Sequence, residues 1–354
     1  MGPDERNQPR EPLLAAAPPQ ANPQSPCAAP LLKPSTAAAA VGSPNATVLD
    51  DGSPPRQLPG NMMTFMCLCN TQPLEEFLID CPLVYTVSIF GGEMSEAATD
   101  HGRCLFQAIM ADILKNHLDN ISWDGAFSIA DVLIVKHEEY VNVKIQKEPV
   151  KFEGRRQLEA RVKDLNRAAA VFIPLYQNSN GVLPVFFDQL KEDLEEATIE
   201  LVEEKWFIKY LTYHVAFMPS AARMYFEMML NCRNCGILRS IMLSRPVGND
   251  WKALVKSTKG DSITLLHDVF SDSNPPTEER PDRYESTVRG LLTFIKDVLE
   301  HGKDPVEVVQ IEFYLARTFP FLIPGLLRTF LQHGIMKQHF ADIWSCFKVV
   351  PCSK

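Results

Sequence analysis

The sequence predicts an α+β protein, with a mixed β-sheet and helices in the N-terminal half, an all-helical C-terminal half, and a disordered N-terminal tail. Three observations lead to this prediction. Residues 1–61 lack aromatic side chains, residues 62–190 contain β-branched runs and period-two alternation, and residues 191–354 carry apolar residues mainly at helical spacing. We therefore divide the chain into a tail, an α/β part and a helical part.

Residues 1–61 contain 13 of the 27 prolines and 11 alanines, but no Phe, Trp or Tyr. Burial of large apolar side chains offsets the entropy that a backbone loses on ordering, and this stretch has few of them to bury. The composition therefore predicts a disordered, partly polyproline-like tail. A secretory signal needs a basic start and a continuous apolar run, whereas here Met1 is followed by Asp4, Glu5 and repeated prolines.

The α/β part, residues 62–190, is expected to hold the sheet. Residues 83–90 are rich in β-branched and aromatic residues, and residues 140–146 alternate between apolar and polar. Residues 129–135 and 140–146 together predict a hairpin. Further strands are predicted at 62–68, 168–176 and 182–187, the last two at a sheet edge because Pro174 and Pro184 lack a backbone donor. Helices are predicted at 73–79, 95–118 and 155–167.

The helical part, residues 191–354, either forms a domain of its own or continues the α/β part. Asp304-Pro305-Val306-Glu307 is a strong helix start, since Asp suits the cap, Pro the first position and Glu the third. Helices are predicted at 192–210, 221–230, 236–243, 251–255, 263–270, 284–300, 305–319, 324–333 and 338–347.

Charge and cysteine content narrow the classes of partner and compartment. The chain has 35 basic and 44 acidic residues, a net charge of −9, whereas proteins that neutralise phosphates usually carry a basic face. A nucleic-acid partner is therefore not expected, and no apolar run is long enough to predict a membrane span. Nine scattered cysteines in a chain of this length favour reduced thiols in the cytoplasm or nucleus over a secreted disulfide scaffold.

Cys104 is a candidate nucleophile, because it lies near the start of a predicted helix, where a thiolate is stabilised. The stretch His101-Gly102-Arg103-Cys104-Leu105-Phe106 resembles the nucleophile segment of the ovarian-tumour family of deubiquitinating thiol proteases. In that family an Asp-Gly-x-Cys-Leu-Phe stretch opens the catalytic helix; here His101 replaces the Asp. The resemblance implies a partner histidine close to an aromatic residue, and His214 after Tyr213 is the candidate. The alternative is a buried structural cysteine on an amphipathic helix.

Two close cysteine pairs form a candidate metal site. Cys232 and Cys235 have the CxxC spacing of half a zinc site, and Cys67 and Cys69 could supply the other two thiolates. The CxC spacing is tighter than usual for zinc, and no histidine is close in sequence to either pair. The alternative is four ordinary cysteines, so we expect no cofactor unless this zinc site forms.

The leading hypothesis is a non-enzymatic interaction protein: an adaptor, scaffold or regulatory subunit that binds a protein partner in the cytoplasm or nucleus. We find no motif that brings together an acid, a base, a nucleophile or a phosphate-binding loop, and the proline-rich tail offers docking segments. On this hypothesis there are no catalytic residues. The alternative is a deubiquitinase-like cysteine hydrolase that uses Cys104 and His214. The sequence leaves the partner, the oligomeric state and the strand order open.

Overall fold

A computed structural model describes residues 70–89, 92–136, 141–232, 251–257, 266, 268–270, 284–301 and 304–334. The predicted α+β class is confirmed, because strands and helices alternate in the N-terminal half and helices follow in the C-terminal half. The predicted tail (1–61), the predicted strand 62–68 and the predicted helices 236–243 and 338–347 lie outside the described residues.

The described strands pair antiparallel in three groups. A three-stranded sheet has the order β1 (Asn70–Pro73), β5 (Val132–Lys136), β6 (Val141–Ile145). A hairpin consists of β2 (Val84–Ser88) and β3 (Met94–Ala98), and a two-residue pair consists of β4 (Ile121–Ser122) and β7 (Val150–Lys151). The predicted pairing of 129–135 with 140–146 is confirmed, with Val132 opposite Ile145.

The helices fill the space around these strands. Those of the first half are α1 (Leu74–Asp80), α2 (Asp100–Leu118) and α3 (Arg155–Phe172). The later ones are α4 (Phe187–Glu195), α5 (Ile199–Glu203), α6 (Lys205–Thr212), α7 (Ser220–Cys232), α8 (Trp251–Ser257), α9 (Val288–Glu300), α10 (Pro305–Thr318) and α11 (Leu322–Gln332). The predicted start of α10 is confirmed, since the Asp304 side chain accepts hydrogen bonds from the amides of Val306 and Glu307 at 2.9 Å each.

The predicted helix 95–118 begins five residues too early. Met94–Ala98 is strand β3, and α2 starts at Asp100. Thr99 separates the two, because its hydroxyl accepts a hydrogen bond from the amide of Gly102 at 3.0 Å and caps the helix. Residues 94–98 have helix-forming side chains, but pairing with β2 outweighs that propensity.

The two predicted edge strands, 168–176 and 182–187, are also wrong. α3 continues to Phe172 and places Ala168, Ala169 and Phe172 on a buried face, and a 3₁₀ turn follows at Ile173–Tyr176. An apolar run of this length fits a buried helix as well as a buried strand, so periodicity alone did not separate them. Residues 182–186 form a loop that leads into α4.

The predicted helix 192–210 is three short helices, α4, α5 and α6. Thr198 ends the continuous pattern, because its hydroxyl accepts a hydrogen bond from the amide of Leu201 at 3.3 Å and starts α5. The breaks allow Leu194, Val202 and Phe207 to reach one core from three directions.

Helix α2 lies at the centre of the main core. Its residues Leu105, Phe106, Ile109 and Met110 have no solvent exposure. The ring of Phe106 meets four aromatic rings from later segments at centroid distances of 5.6 to 6.5 Å. The same cluster extends from Leu74 to Leu331, so the described residues of both halves contribute to it.

The buried carboxylate of Asp164 joins α3 to the end of α2 and to the loop that follows. It accepts hydrogen bonds from His117 Nε2 (3.0 Å), Ser122 Oγ (2.7 Å), the Trp123 amide (3.1 Å) and the Gly125 amide (2.7 Å). Burial lowers the pKa of His117 below its ordinary value, although Asp164 opposes this, so the imidazole is neutral and donates through Nε2.

We expect Asp164→Asn to lower the free energy of unfolding by about 3 kcal/mol, because an amide nitrogen replaces an oxygen that accepts from buried donors. Urea unfolding at pH 7 measures the loss. The matched control is Glu159→Gln on the same helix, whose ion pair with Arg155 is exposed and is expected to contribute about 0.5 kcal/mol or less. Equal small losses in both variants would contradict the central role of Asp164.

Candidate functional site

A groove with a volume of about 620 Å³ lies beside strand β3. We call it the hairpin groove. Its walls are β3 at Met94 to Glu96, the loop 178–186, the first two turns of α4, and the junction of α10 and α11 at residues 316–321. These four segments are far apart in the sequence, so the groove exists only in the folded chain.

Three large apolar side chains of the groove are exposed to solvent. The exposed fractions are 57% for Met94, 50% for Val182 and 66% for Phe321. Each comes from a different wall. Single exposed apolar residues are normal on a protein surface, but several around one concavity are typical of a binding site.

The charged side chains of the groove are mainly acidic. Asp188 and Glu192 are exposed one turn apart on α4, and Glu96 is on β3. Among the described residues, these three carboxylates make no ion pair. Arg317 also lines the groove, but its Nη1 lies 3.0 Å from Glu93 Oε2, so its charge is balanced. Carboxylates four residues apart on a helix repel each other slightly, and a cation bound between them would relieve this.

Hydrogen bonds fix the groove wall before any ligand binds. Glu96 Oε1 accepts from Thr86 Oγ1 at 3.2 Å and from Asn178 Nδ2 at 2.9 Å. Asn178 Oδ1 in turn accepts from the amides of Asn180 and Val182, at 2.9 Å each. The loop 178–182 and the hairpin therefore form one preorganised unit.

Phe186, at the start of α4, has a left-handed backbone with φ of 69°. This conformation costs a residue with a side chain about 1 kcal/mol, so the surrounding packing must hold it. The ring is buried, and the guanidinium carbon of Arg223 lies 5.4 Å from its centroid. Another ring, that of Phe313, lies 5.3 Å from the same carbon. Arg223 thus packs against Phe186 and stabilises the loop 178–186 that lines the groove.

Arg223 is itself held by a buried ion pair. Its Nε and Nη2 donate to the two carboxylate oxygens of Glu312 at 2.6 and 2.8 Å, and its Nη1 donates to the Met218 carbonyl at 2.7 Å. Ser220 Oγ donates to Glu312 at 2.6 Å. A second, smaller cavity of about 150 Å³ lies against Arg223 and Ser220. The two-point contact fixes the orientation of the guanidinium plane.

Glu227 lies one helical turn from Arg223 and is 4% exposed. Its Oε2 has no hydrogen-bond partner among the described residues. Burial, together with the negative charge of Glu312, holds the pKa of Glu227 well above its ordinary value, although Arg223 opposes the shift. Between about pH 4.5 and the raised folded-state value, the folded protein therefore holds a proton on Glu227 that the unfolded chain releases.

Because the pKa of Glu227 is raised on folding, its contribution to stability is lost as pH rises from about 4.5 through the folded-state value. We expect Glu227→Gln, which cannot ionise, to raise the free energy of unfolding at pH 8 by about 1 kcal/mol and to flatten its decline as pH rises above about 4.5. Urea unfolding across this range measures both effects. The control Glu196→Gln, at an exposed site, should follow the wild-type profile, and parallel profiles for all three proteins would contradict the expectation.

Cys104 lies in the second turn of α2 and is half-buried. Its distance from the cap at Thr99 takes it past the first turn, where the effect of the helix dipole is concentrated. The other residues that resemble the thiol-protease segment have packing roles. A Cβ on Gly102 would lie 2.3 Å from the Leu83 carbonyl oxygen, and Leu105 and Phe106 are fully buried.

His214, the candidate base, is fully buried and both of its ring nitrogens have partners. Nε2 lies 3.1 Å from Asp193 Oδ2, and Nδ1 accepts a hydrogen bond from the Ala216 amide at 3.2 Å. Tyr210 donates to the same Asp193 oxygen at 2.6 Å, and Arg328 donates to the other oxygen. Burial alone would raise the pKa of Asp193, but the hydrogen bonds from His214 and Tyr210 and the charge of Arg328 lower it. His214 could accept a proton from a thiol only by giving up the Ala216 bond.

This geometry gives an expectation for thiol reactivity. Cys104 and Cys81 are both half-buried, and neither forms a disulfide. Because the candidate base His214 already has partners at both ring nitrogens, iodoacetamide should label the two in the folded protein at rates within about tenfold of each other at pH 7.5. Mass spectrometry at each site measures the rates, and the urea-unfolded chain supplies the reference. Labelling of Cys104 about a hundredfold faster than that of Cys81 would favour the hydrolase hypothesis.

The candidate zinc ligands cannot be placed together. Cys67, Cys69 and Cys235 lie outside the described residues, and Cys232 is the last residue of α7. Within the described ranges, no group of three or more His, Cys, Asp or Glu side chains could hold a metal ion. The zinc site stays a prediction.

Sequence reasoning missed the residues of the hairpin groove. Met94 lies between the predicted strand 83–90 and the predicted helix 95–118, so neither element includes it, and Val182 falls in a predicted edge strand. Phe321 lies between two predicted helices, where connecting segments are usually polar. A large aromatic side chain at such a position is the local signal that could have indicated a functional surface. In the sequence, the acidic residues Asp188 and Glu192 are typical of an ordinary solvent-exposed helix face.

Comparisons with known protein families and curated sequences identify no related protein. No protein-family model matches the chain, and a search of curated protein sequences gives no significant match. In the part of the chain that the structure describes, no helix combines the length and the apolar character needed to cross a bilayer.

Proposed function

We propose that this chain is a non-enzymatic interaction protein, an adaptor, scaffold or regulatory subunit, that holds a segment of a protein partner in the hairpin groove. The observation that carries this proposal is the exposure of Met94, Val182 and Phe321 around one concavity. Apolar area gains about 25 cal/mol per Å² when it leaves water, so covering these side chains supplies a driving force for binding.

The shape of the groove supports a short segment as the ligand. A volume of about 620 Å³ is in the usual range for sites that take a small molecule or a few side chains. The hydrogen bonds of Asn178 and Glu96 already hold the wall in place, and a preformed wall lowers the ordering cost of binding. The exposed carboxylates of Asp188 and Glu192 favour a segment with a basic side chain.

We further propose that binding takes place in the cytoplasm or nucleus. Nine scattered cysteines, of which Cys81 and Cys104 form no disulfide in the structure, fit a reducing compartment.

The test uses the full chain and a phage-displayed library of random decapeptides. Peptides that bind are synthesised, and their affinities are measured by fluorescence anisotropy. We expect Phe321→Ala and Met94→Ala each to weaken binding by about tenfold or more, because anchors in a groove carry most of the affinity. Both side chains are exposed, so neither change should affect folding.

The matched control is Leu118→Ala, which removes an apolar side chain that is 73% exposed and lies outside the groove. This variant should bind within about twofold of wild type. Peptides whose affinity does not change in the two groove variants would show that binding occurs elsewhere, and a library that yields no binder would also contradict the proposal.

A further inference from the structure

The register of the hairpin determines which backbone groups of β3 point into the hairpin groove. Two backbone hydrogen bonds flank the paired residues: the Ile89 amide to the Glu93 carbonyl at 2.8 Å, and the Thr99 amide to the Leu83 carbonyl at 2.9 Å. Antiparallel pairs alternate between hydrogen-bonded and non-hydrogen-bonded. Counting inward from both ends, the pairs of Met94, Glu96 and Ala98 with β2 are non-hydrogen-bonded. Their amides and carbonyls therefore point away from β2.

Two contacts agree with this alternation. The Glu96 carbonyl accepts a hydrogen bond from the Val185 amide at 3.3 Å, and the Ala98 carbonyl accepts from Arg103 Nη1 at 2.9 Å. Val185 is in the groove wall, so the outer edge of β3 faces the groove. At Met94, the outward amide and carbonyl have no partner among the described residues, and the same holds for the outward amide of Glu96.

We propose that the hairpin groove binds its partner by strand addition, with an extended basic segment of another protein pairing with the outer edge of β3 at Met94 and at the amide of Glu96. This inference rests on the proposed function, and it specifies the conformation and chemistry of the ligand. The added strand satisfies the outward amide and carbonyl of Met94 and continues the hairpin into a three-stranded sheet. Main-chain hydrogen bonds supply affinity in this mode of recognition, and side-chain contacts supply specificity.

The side chains of the groove indicate which ligand residues fit. Successive side chains of a strand point to opposite sides, so alternate residues of the ligand face the same wall. One set meets the exposed side chains of Met94 and Phe321, and we assign apolar residues to it. A lysine or arginine lies against Asp188 and Glu192, which repel each other in the free protein. The Val185 contact closes one end of the edge, so the paired segment is short.

Backbone N-methylation of a selected decapeptide tests the strand. In the added strand, the ligand amide opposite the Met94 carbonyl donates to β3, because the Glu96 carbonyl already accepts from the Val185 amide, and a methyl group there removes that hydrogen bond and clashes with the edge. We expect methylation at one position to weaken binding by about tenfold or more, and methylation at the two positions next to it to change it by about threefold or less. The full chain and fluorescence anisotropy are used throughout.

Charge reversal tests the chemistry of the ligand. Asp188→Lys and Glu192→Lys should each weaken binding of a basic peptide by about tenfold, and raised salt should reduce this difference. Glu196→Lys is the matched control, because Glu196 is exposed at the end of the same helix and lies outside the groove. Equal effects of all three changes would indicate a long-range field and would overturn the assigned contact.

The outcomes separate this inference from the proposed function. If Phe321→Ala weakens binding but methylation has no effect at any position, the ligand is held by side chains and strand addition fails alone. If methylation at every internal position abolishes binding, the ligand is a helix and strand addition fails again. If Phe321→Ala has no effect on any selected peptide, the groove is not the site, and both proposals fail.

Discussion

The carboxylate of Asp164 is fully buried, so every hydrogen bond that it needs must come from within the protein. Its donors all lie at the end of α2 or in the loop after it, and Asp164 itself lies on α3. This carboxylate therefore holds α3 against the end of α2, together with Arg161, which donates to the His117 carbonyl. Once they are docked, Phe106 and Phe172 meet edge to face, and the rest of the main core packs around this contact.

Two further buried carboxylates join helices of the C-terminal half to each other. Asp193 on α4 joins His214 to Arg328 on α11, and Glu312 on α10 holds Arg223 on α7. Buried ion pairs add little net stability, but their geometry is strict, because a misplaced partner leaves a charge without compensation. Asp193 thus joins α4 to the half-exposed Arg328 of α11, and Glu312 joins α10 to α7, so α4 and the junction of α10 and α11, two walls of the groove, are each held by a buried carboxylate. The position of the apolar side chains at its surface follows from charged groups beneath it.

Features that depend on neighbouring residues were predictable from the sequence. The cap at Asp304 and the pairing of β5 with β6 are examples, since both follow from residues within about fifteen positions of one another. Strand β3 was missed because pairing with β2 decides its conformation. Asp193 was missed as a buried group because it lies in an acidic run, which as a pattern indicates solvent. The groove could not be predicted at all, because its four walls meet only through contacts between distant segments.

An open strand edge also has a consequence for the behaviour of the protein at high concentration. Exposed edges are templates on which identical molecules can pair, and this is a common route to aggregation. Here the unpaired stretch is short, and Asp188 and Glu192 border it. A second copy would bring the same carboxylates and a net charge of −9 towards this edge. Electrostatic repulsion between two copies therefore disfavours self-association through this edge, whereas a basic strand can still bind there. Acid or high salt would weaken this repulsion.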